Sequence, residues 1–249
     1  MKHIIEQIRA TRRRVLLGLD YDGTLVEICP RPEDAKLSRE RRAVLKALLV
    51  HKRFLPVFIS GRKIRELLRM LRLPSCWAVG DHGAAIRRPD GKETVLMPAG
   101  KLRELEEMRV ALKQVRSLDK ALWIENKMAS VALHYRQAPE GVARAAVAQA
   151  RRIYRKRFRR SLEILPMKKV IEFIVPGVTK GRALQRVHRM AGGGMPVLYF
   201  GDDTTDHSAI EYAEKHGHAV FVGKRNRMGA SWRLPDPNSV YQLLRNLLD

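Results

Sequence analysis

Five short apolar runs, each closed by a polar residue or a glycine, set the rhythm of the chain: VLLGLD at 15–20, LPVFIS at 55–60, WAVG at 77–80, VLYFGD at 197–202 and HAVFVG at 218–223. Their hydrophobicity is continuous rather than alternating, which predicts strands buried on both faces, the habit of parallel sheets. Between them apolar positions recur at helical spacing. Ser38 to His51 opens on a serine suited to cap a helix, Arg62 to Leu71 stops before Pro74, and Lys180 to Met190 stops at Gly192. Strand and helix in alternation predict an α/β fold with a doubly wound parallel sheet.

The middle of the chain breaks this rhythm. A helical stretch near Leu102–Val115 is followed by the runs ALWIEN and MASVALHY, a helix from about Pro139 to Phe158, and then LEILPM and VIEFIV. Helix, two strands, helix, two strands is an α+β unit of its own. The expected organisation is a core of residues 1–101 and 176–249 with an inserted α+β domain at 102–175, and Pro176-Gly177 as the return hinge.

With 249 residues, 45% hydrophobic and 30% charged, the chain has enough apolar matter for a sizeable core. The first residues hold no continuous apolar stretch that would serve as a signal peptide, and no membrane span is expected. Cys29 and Cys76 stand far apart, which gives neither a disulfide framework nor a four-ligand zinc site and fits a reducing cytoplasm. The formal charge of +23 predicts attraction for polyanions and steered approach of anionic substrates. Its densest part is RRIYRKRFRR at 151–160, which reads as the solvated end of a helix or as a patch for non-specific polyanion binding. No nucleic-acid module accompanies it, so a specific nucleic-acid partner is not expected.

Candidate chemistry gathers where the strands end. Asp20-Tyr21-Asp22-Gly23-Thr24 follows the first strand, at the edge where ligands bind in doubly wound sheets. Carboxylates two residues apart can project to one side of an extended chain, and the glycine lets the backbone turn away. Hydrolysis of a phosphate monoester needs a positioned nucleophile, charge neutralisation and a proton for the leaving group, and a pair of acids can divide the first and last of these. Ser60-Gly61-Arg62 ends a strand and opens a helix, so it is either an anion site or an ordinary cap. Lys180-Gly181 opens a helix and can set an ammonium beside a transferring phosphoryl group. Gly201-Asp202-Asp203-Thr204-Thr205-Asp206 follows another strand on a loop that caps no obvious helix, and three aspartates so close repel one another unless a cation joins them. Magnesium, with its preference for carboxylate and carbonyl oxygens, is the expected ion.

The order of these four motifs resembles the haloacid dehalogenase superfamily of phosphohydrolases. The resemblance implies Asp20 as nucleophile, Asp22 as general acid and then base, and Ser60 and Lys180 on the phosphate. It places Asp202, Asp20 and the Asp22 carbonyl on magnesium, with Asp206 orienting the metal shell and Asp203 assisting it.

A narrower likeness runs through DYDGTL, SGR at 60–62, GDHG at 80–83, IENK with Ser130 and His134-Tyr135-Arg136, KKVIEF at 168–173 and YFGDDTTD at 199–206. Together these resemble the trehalose-6-phosphate phosphatases, which implies hydrolysis of that sugar phosphate to trehalose and phosphate. Gly61, Arg62, His82, Glu125, Lys127, Arg136 and Glu172 are then expected to contact substrate. Glu125 and Lys127 share one strand face, and two carboxylates with an ammonium suit a many-hydroxylled sugar or, equally, a cross-strand ion pair. The chain departs from the family at His207-Ser208-Ala209-Ile210, where Glu-Asp-Ala-Phe is usual, and at the basic segment KRNRMGASWRL after Gly223. A phosphatase of another glycosyl phosphate, such as glucosylglycerol phosphate, is the alternative, and a non-catalytic basic binding protein a more distant one. The protein is expected to be a cytoplasmic monomer whose partner is a small sugar phosphate, its substrate, with no membrane involved.

Overall fold

Val15–Asp20, the first of the apolar runs, forms β1 at the centre of an eight-stranded sheet, where it is buried along its whole length. The computed structural model describes residues 2–97, 100–167, 169–226 and 228–249. Contacts divide the chain into two units, Met1–Val95 with Thr179–Asp249, and Leu96–Val178.

In the first unit, α1 (Lys2–Ala10) precedes β1 and is followed by α2 (Arg39–Val50), β2 (Phe54–Ile59), α3 (Ile64–Leu71), β3 (Trp77–Gly80), β4 (Ala85–Arg87) and β5 (Glu93–Val95). Ser38 caps α2 by accepting from the Arg41 amide at 3.1 Å, as its place before an apolar stripe predicts. In the second unit come α4 (Leu102–Arg116), β6 (Trp123–Asn126), β7 (Ser130–His134), α5 (Glu140–Ile153), β8 (Glu163–Met167) and β9 (Val170–Ile174). The chain then returns to the first unit with α6 (Lys180–Met190), β10 (Val197–Gly201), α7 (His207–His216), β11 (Gly217–Val222), β12 (Trp232–Leu234) and α8 (Pro237–Leu248).

The large sheet has the order β12-β11-β10-β1-β2-β3-β4-β5, parallel from β12 to β3 and antiparallel beyond. It is the doubly wound α/β sheet that the sequence predicts. From β1 the chain steps outward through β2 and β3, then returns to β10 on the other side and steps the opposite way. The crevice between β1 and β10 is therefore the topological switch point. Register fixes what stands there: Leu19 pairs with Phe200 and Asp20 with Ile59, so Asp20 closes β1 where Ser60 and Asp202 follow the ends of the strands on either side.

Alternation sorts the strand side chains onto two faces. Val15, Leu17 and Leu19 join Phe54, Phe58, Leu198 and Phe200 in one buried cluster with residues of α1, α2, α3 and α8. Gly18 faces the other way, toward the Tyr199 ring and Leu184 of α6. Burying a large apolar side chain of this kind stabilises by about 1.5–3 kcal/mol, so the sheet holds the site's strand ends rigid.

The second unit is a sheet of order β6-β7-β9-β8, antiparallel throughout. Val131, Leu133, Ile171 and Phe173 are buried on one of its faces, and α4 and α5 bring Leu105, Met108, Leu112, Ala143 and Ala146. The basic run 151–160 is the last turn of α5 continued by a π-turn at Tyr154–Phe158. Phe158 and the Tyr154 ring turn inward, while the arginines and Lys156 are exposed. Among the described residues, no helix is long and apolar enough to cross a membrane.

Candidate active site

Asp20 leaves the end of β1 only 3% exposed. Tyr21, wholly buried, anchors the turn by donating to the Ala35 carbonyl at 2.8 Å. Gly23 then adopts φ 86, and a Cβ built there would stand 2.7 Å from Oδ1 of Asp202. Only glycine both accepts that backbone and lets the two aspartate loops approach so closely.

Lys180, 4% exposed at the start of α6, donates to Oδ1 of Asp20 at 2.6 Å and to Oδ1 of Asp206 at 2.8 Å. Thr179 caps this helix through the Arg182 amide. Gly181 explains the Lys-Gly pair, because any side chain there would strike the Ser208 backbone. The Gly181 amide instead donates to Ser208 Oγ at 3.1 Å. Ser208 belongs to the segment that departs from the family pattern, and here it docks α6 against α7.

The Asp202–Asp206 loop needs a correction. It does cap a helix: a 3-10 turn at Thr204–Asp206 runs directly into α7, with Asp203 and Asp206 forming a capping box. Asp203 is exposed, and its Oδ1 accepts from the Thr204 amide at 2.6 Å and the Thr204 hydroxyl at 3.2 Å, so the assisting role toward metal gives way to a structural one. Asp206 is fully buried and its acceptors are taken. Oδ1 receives Lys180 and the Tyr199 hydroxyl, and Oδ2 receives the Asp202 and Asp203 amides at 3.2 and 3.1 Å. The geometry thus makes Asp206 the strut of the loop. Tyr199, at one point in YFGDD, was not legible as a site residue, since a buried aromatic in a strand reads as core.

Ser60 is 1% exposed and its hydroxyl accepts from the Arg62 amide at 3.1 Å. Arg62 also departs from expectation. Its Nε donates to Asp22 Oδ2 at 2.8 Å and its Nη2 to Asp22 Oδ1 at 2.7 Å, while Nη1 pairs with Glu66 and Nη2 also reaches the Pro32 carbonyl. A guanidinium so committed holds the Asp22 carboxylate in a fixed direction. His82, 5% exposed, follows Asp81 in a run of positive φ (51, 55 and then 110 at Gly83). Its ring lies over Gly61, where a Cβ would come within 2.6 Å of Nε2. Left-handed backbone at two successive non-glycine residues costs of order 1–3 kcal/mol each, strain that proteins keep chiefly where it serves a site.

Asp20, Asp202 and Asp206 bring carboxylate oxygens within 4.8 Å of one another. One ammonium does not balance them. Burial, then the nearby Asp206 charge, pushes Asp20 well above the usual carboxylate range in spite of Lys180, and the same two causes push Asp202 up to about 7. Oδ2 of Asp20 is buried and accepts no hydrogen bond. A bare carboxylate oxygen beside a second acid of hard-oxygen character fits a magnesium ion, with Asp20 and Asp202 as its side-chain ligands.

In the second unit Glu125, Lys127, Ser130 and Glu172 lie on the sheet face opposite the helices. Lys127 donates to Glu172 Oε2 at 3.1 Å and stands 4.0 Å from Glu125, the Ser130 hydroxyl donates to Glu172, and His134 Nε2 meets Glu125 Oε2 at 3.0 Å. Burial works to raise Glu125, but His134 and Lys127 outweigh it and hold the carboxyl below the usual range. Arg136 is exposed, beyond the end of β7, and Lys168 lies outside the described residues.

The fold is that of the haloacid dehalogenase-like hydrolases. The trehalose-phosphatase profile matches residues 18–237, and the chain belongs to the trehalose-phosphatase family. The C-terminal domain of Candida albicans trehalose-6-phosphate phosphatase superposes with a TM-score of 0.86 over 99% of this chain and 96% of that one, at 20% identity, a likeness of fold. A probable trehalose-phosphate phosphatase of Oryza sativa subsp. japonica is 28% identical over 96% of this chain and 70% of its own length. An uncharacterized glycosyl hydrolase of Mycobacterium tuberculosis is 30% identical over 95% of this chain, which spans only 18% of that protein's length.

Proposed function

We propose that the protein is a magnesium-dependent phosphomonoesterase that hydrolyses trehalose 6-phosphate to trehalose and phosphate. The observation that carries this reading is Asp20, buried at the switch point with one oxygen held by Lys180 and the other bare. Membership of the trehalose-phosphatase family supplies the substrate.

In this mechanism Asp20 attacks phosphorus, the bond to the sugar oxygen breaks, and an aspartyl phosphate forms on Asp20. Lys180 holds the attacking carboxylate and lends positive charge as the phosphoryl group approaches. Asp22, aimed by Arg62, gives a proton to the departing sugar oxygen and then takes one from the water that cleaves the acyl phosphate. Ser60 and its neighbouring amides bind the phosphoryl oxygens. Asp206, braced by Tyr199 and the loop amides, fixes Asp202. When bound, magnesium supplies the charge that keeps Asp20 and Asp202 ionised and screens them from the phosphate dianion.

Glu125, Lys127 and Glu172 bind the sugar, with His82 as a further contact, and Leu96–Val178 is the cap domain that recognises substrate. Cys29 and Cys76 are free thiols, in keeping with a cytoplasmic protein. Phosphate release from a panel of sugar phosphates, with magnesium and with excess chelator, tests the reading. Preference for trehalose 6-phosphate, abolished by chelator and by Asp20→Asn, is expected. Preference for another glycosyl phosphate would move the substrate, and full turnover in chelator would remove the mechanism.

A further inference from the structure

The polar row on the second unit's sheet ends in an aromatic pair. Trp123 on β6 pairs across the strands with His134 on β7, and their rings stack at 3.6 Å between centroids with planes 7° apart. His134 in turn meets Glu125 Oε2 at 3.0 Å, so the indole, the imidazole and the carboxylate form one connected chain. Trp123 is 45% exposed, although an indole is the side chain a folded protein gains most by covering.

Strand geometry sets the length of this row. Trp123, Glu125 and Lys127 are successive residues of one face, and four residues of strand span about 13 Å. A single hexose ring does not fill that distance, whereas two linked rings do. Ala132 stands opposite both Glu125 on β6 and Glu172 on β9, and the Lys127 ammonium bridges the two carboxylates, 3.1 Å from Glu172 and 4.0 Å from Glu125. Sugars present hydroxyls at their edges and C–H groups on their faces. The half-buried Glu125 carboxylate, with the Lys127 ammonium beside it and Glu172 buried behind, matches the first, and an exposed indole matches the second.

We infer that Trp123, backed by His134, is a specificity residue that takes the apolar face of one ring of a disaccharide phosphate, and that the same stack positions Glu125 through His134. This rests on the sugar-phosphatase reading of the protein. Stacking selects for a second ring, so it distinguishes a disaccharide phosphate from a hexose phosphate.

The test compares wild type, Trp123→Ala and Trp123→Phe on trehalose 6-phosphate, glucose 6-phosphate and an aryl phosphate. In Trp123→Ala, kcat/KM for trehalose 6-phosphate should fall several-fold to about tenfold relative to each of the other two, mostly through KM, and Trp123→Phe should restore most of it. Tryptophan emission of the wild type should change when trehalose is added, and that change should be lost in Trp123→Phe. Equal loss on all three substrates, or an emission change that survives in Trp123→Phe, would assign Trp123 a structural role only. Undiminished Trp123→Ala beside a wild type that prefers trehalose 6-phosphate would overturn this inference alone, and a wild type inert toward trehalose 6-phosphate would overturn the function with it.

Discussion

Arg62 holds both oxygens of Asp22 in a fork, Nε to Oδ2 at 2.8 Å and Nη2 to Oδ1 at 2.7 Å, from the first turn after a neighbouring strand. Two parallel bonds fix direction as well as distance, which a lysine's single ammonium does not reproduce. If this grip aims the proton donor, its loss should be felt most where the leaving group needs a proton. Asp22→Asn and Arg62→Lys should therefore depress turnover of a sugar phosphate more than that of an aryl phosphate with an acidic phenol. For Arg62→Lys the loss of one charged hydrogen bond of about 1.5–3 kcal/mol corresponds to a tenfold to hundredfold fall. Equal losses on both substrates would show that the pair serves phosphate binding or folding instead.

Asp202 gives a pH dependence whose sign can be worked out. Its carboxyl is raised from the ordinary value of 3.8 to about 7 by burial and by Asp206. Between those values the metal-free folded chain holds a proton that the unfolded chain has released, so the metal-free protein loses stability as pH rises through this window. A bound cation offsets the same carboxylate charge. The rise in Tm on adding magnesium should thus be small near pH 5 and large near pH 8, measured by thermal unfolding at fixed ionic strength. An equal rise at both pH values would mean that the ion binds elsewhere.

How much of this was legible beforehand depended on whether local sequence carried the signal. The buried strands announced themselves because parallel strands are apolar on both faces, and Asp20, Lys180 and Asp202 because they follow such strands or open a helix. Arg62 was visible, but its partner was not: the Asp22 fork joins residues forty positions apart, a fact of register between β1 and β2. The short strands β4, β5 and β12 have three residues each, too few for periodicity to show. Helix α7 was hidden because its N-terminal cap is made of the same aspartates that read as metal ligands.

Tyr199 carries a prediction of its own. Its hydroxyl donates to the Asp206 oxygen that also receives Lys180, and it is wholly buried behind the site. Tyr199→Phe keeps the ring that fills the space against Gly18 and removes only the hydroxyl. Losing that bond to a charged acceptor should lower stability by about 1–3 kcal/mol and weaken magnesium binding, because Asp206 braces the loop that carries Asp202. Denaturant unfolding and magnesium titration of the variant read the two effects. An unchanged magnesium affinity in a destabilised variant would confine Tyr199 to packing.

The basic turn at 151–160 leads to the last expectation. Six of its seven cations have no acidic partner among the described residues, and Arg157 alone pairs, with Glu107 at 3.3 Å. Val110 of α4 lines a groove with Arg157, but one exposed apolar side chain beside seven cations is a small anchor, and the face suits a highly charged polyphosphate better than a lipid surface. Attraction between exposed charges is screened over about 10 Å at 0.1 M salt and about 3 Å at 1 M. Binding of inorganic polyphosphate, followed by a mobility or anisotropy assay, should accordingly be tight in dilute buffer and weaken steeply with added salt. Arg155→Glu with Arg159→Glu should weaken it further while sparing the fold, since both residues are exposed. Binding that is insensitive to salt would require a shaped pocket, and binding unaltered by the double charge reversal would place the polyanion on another part of this strongly basic chain.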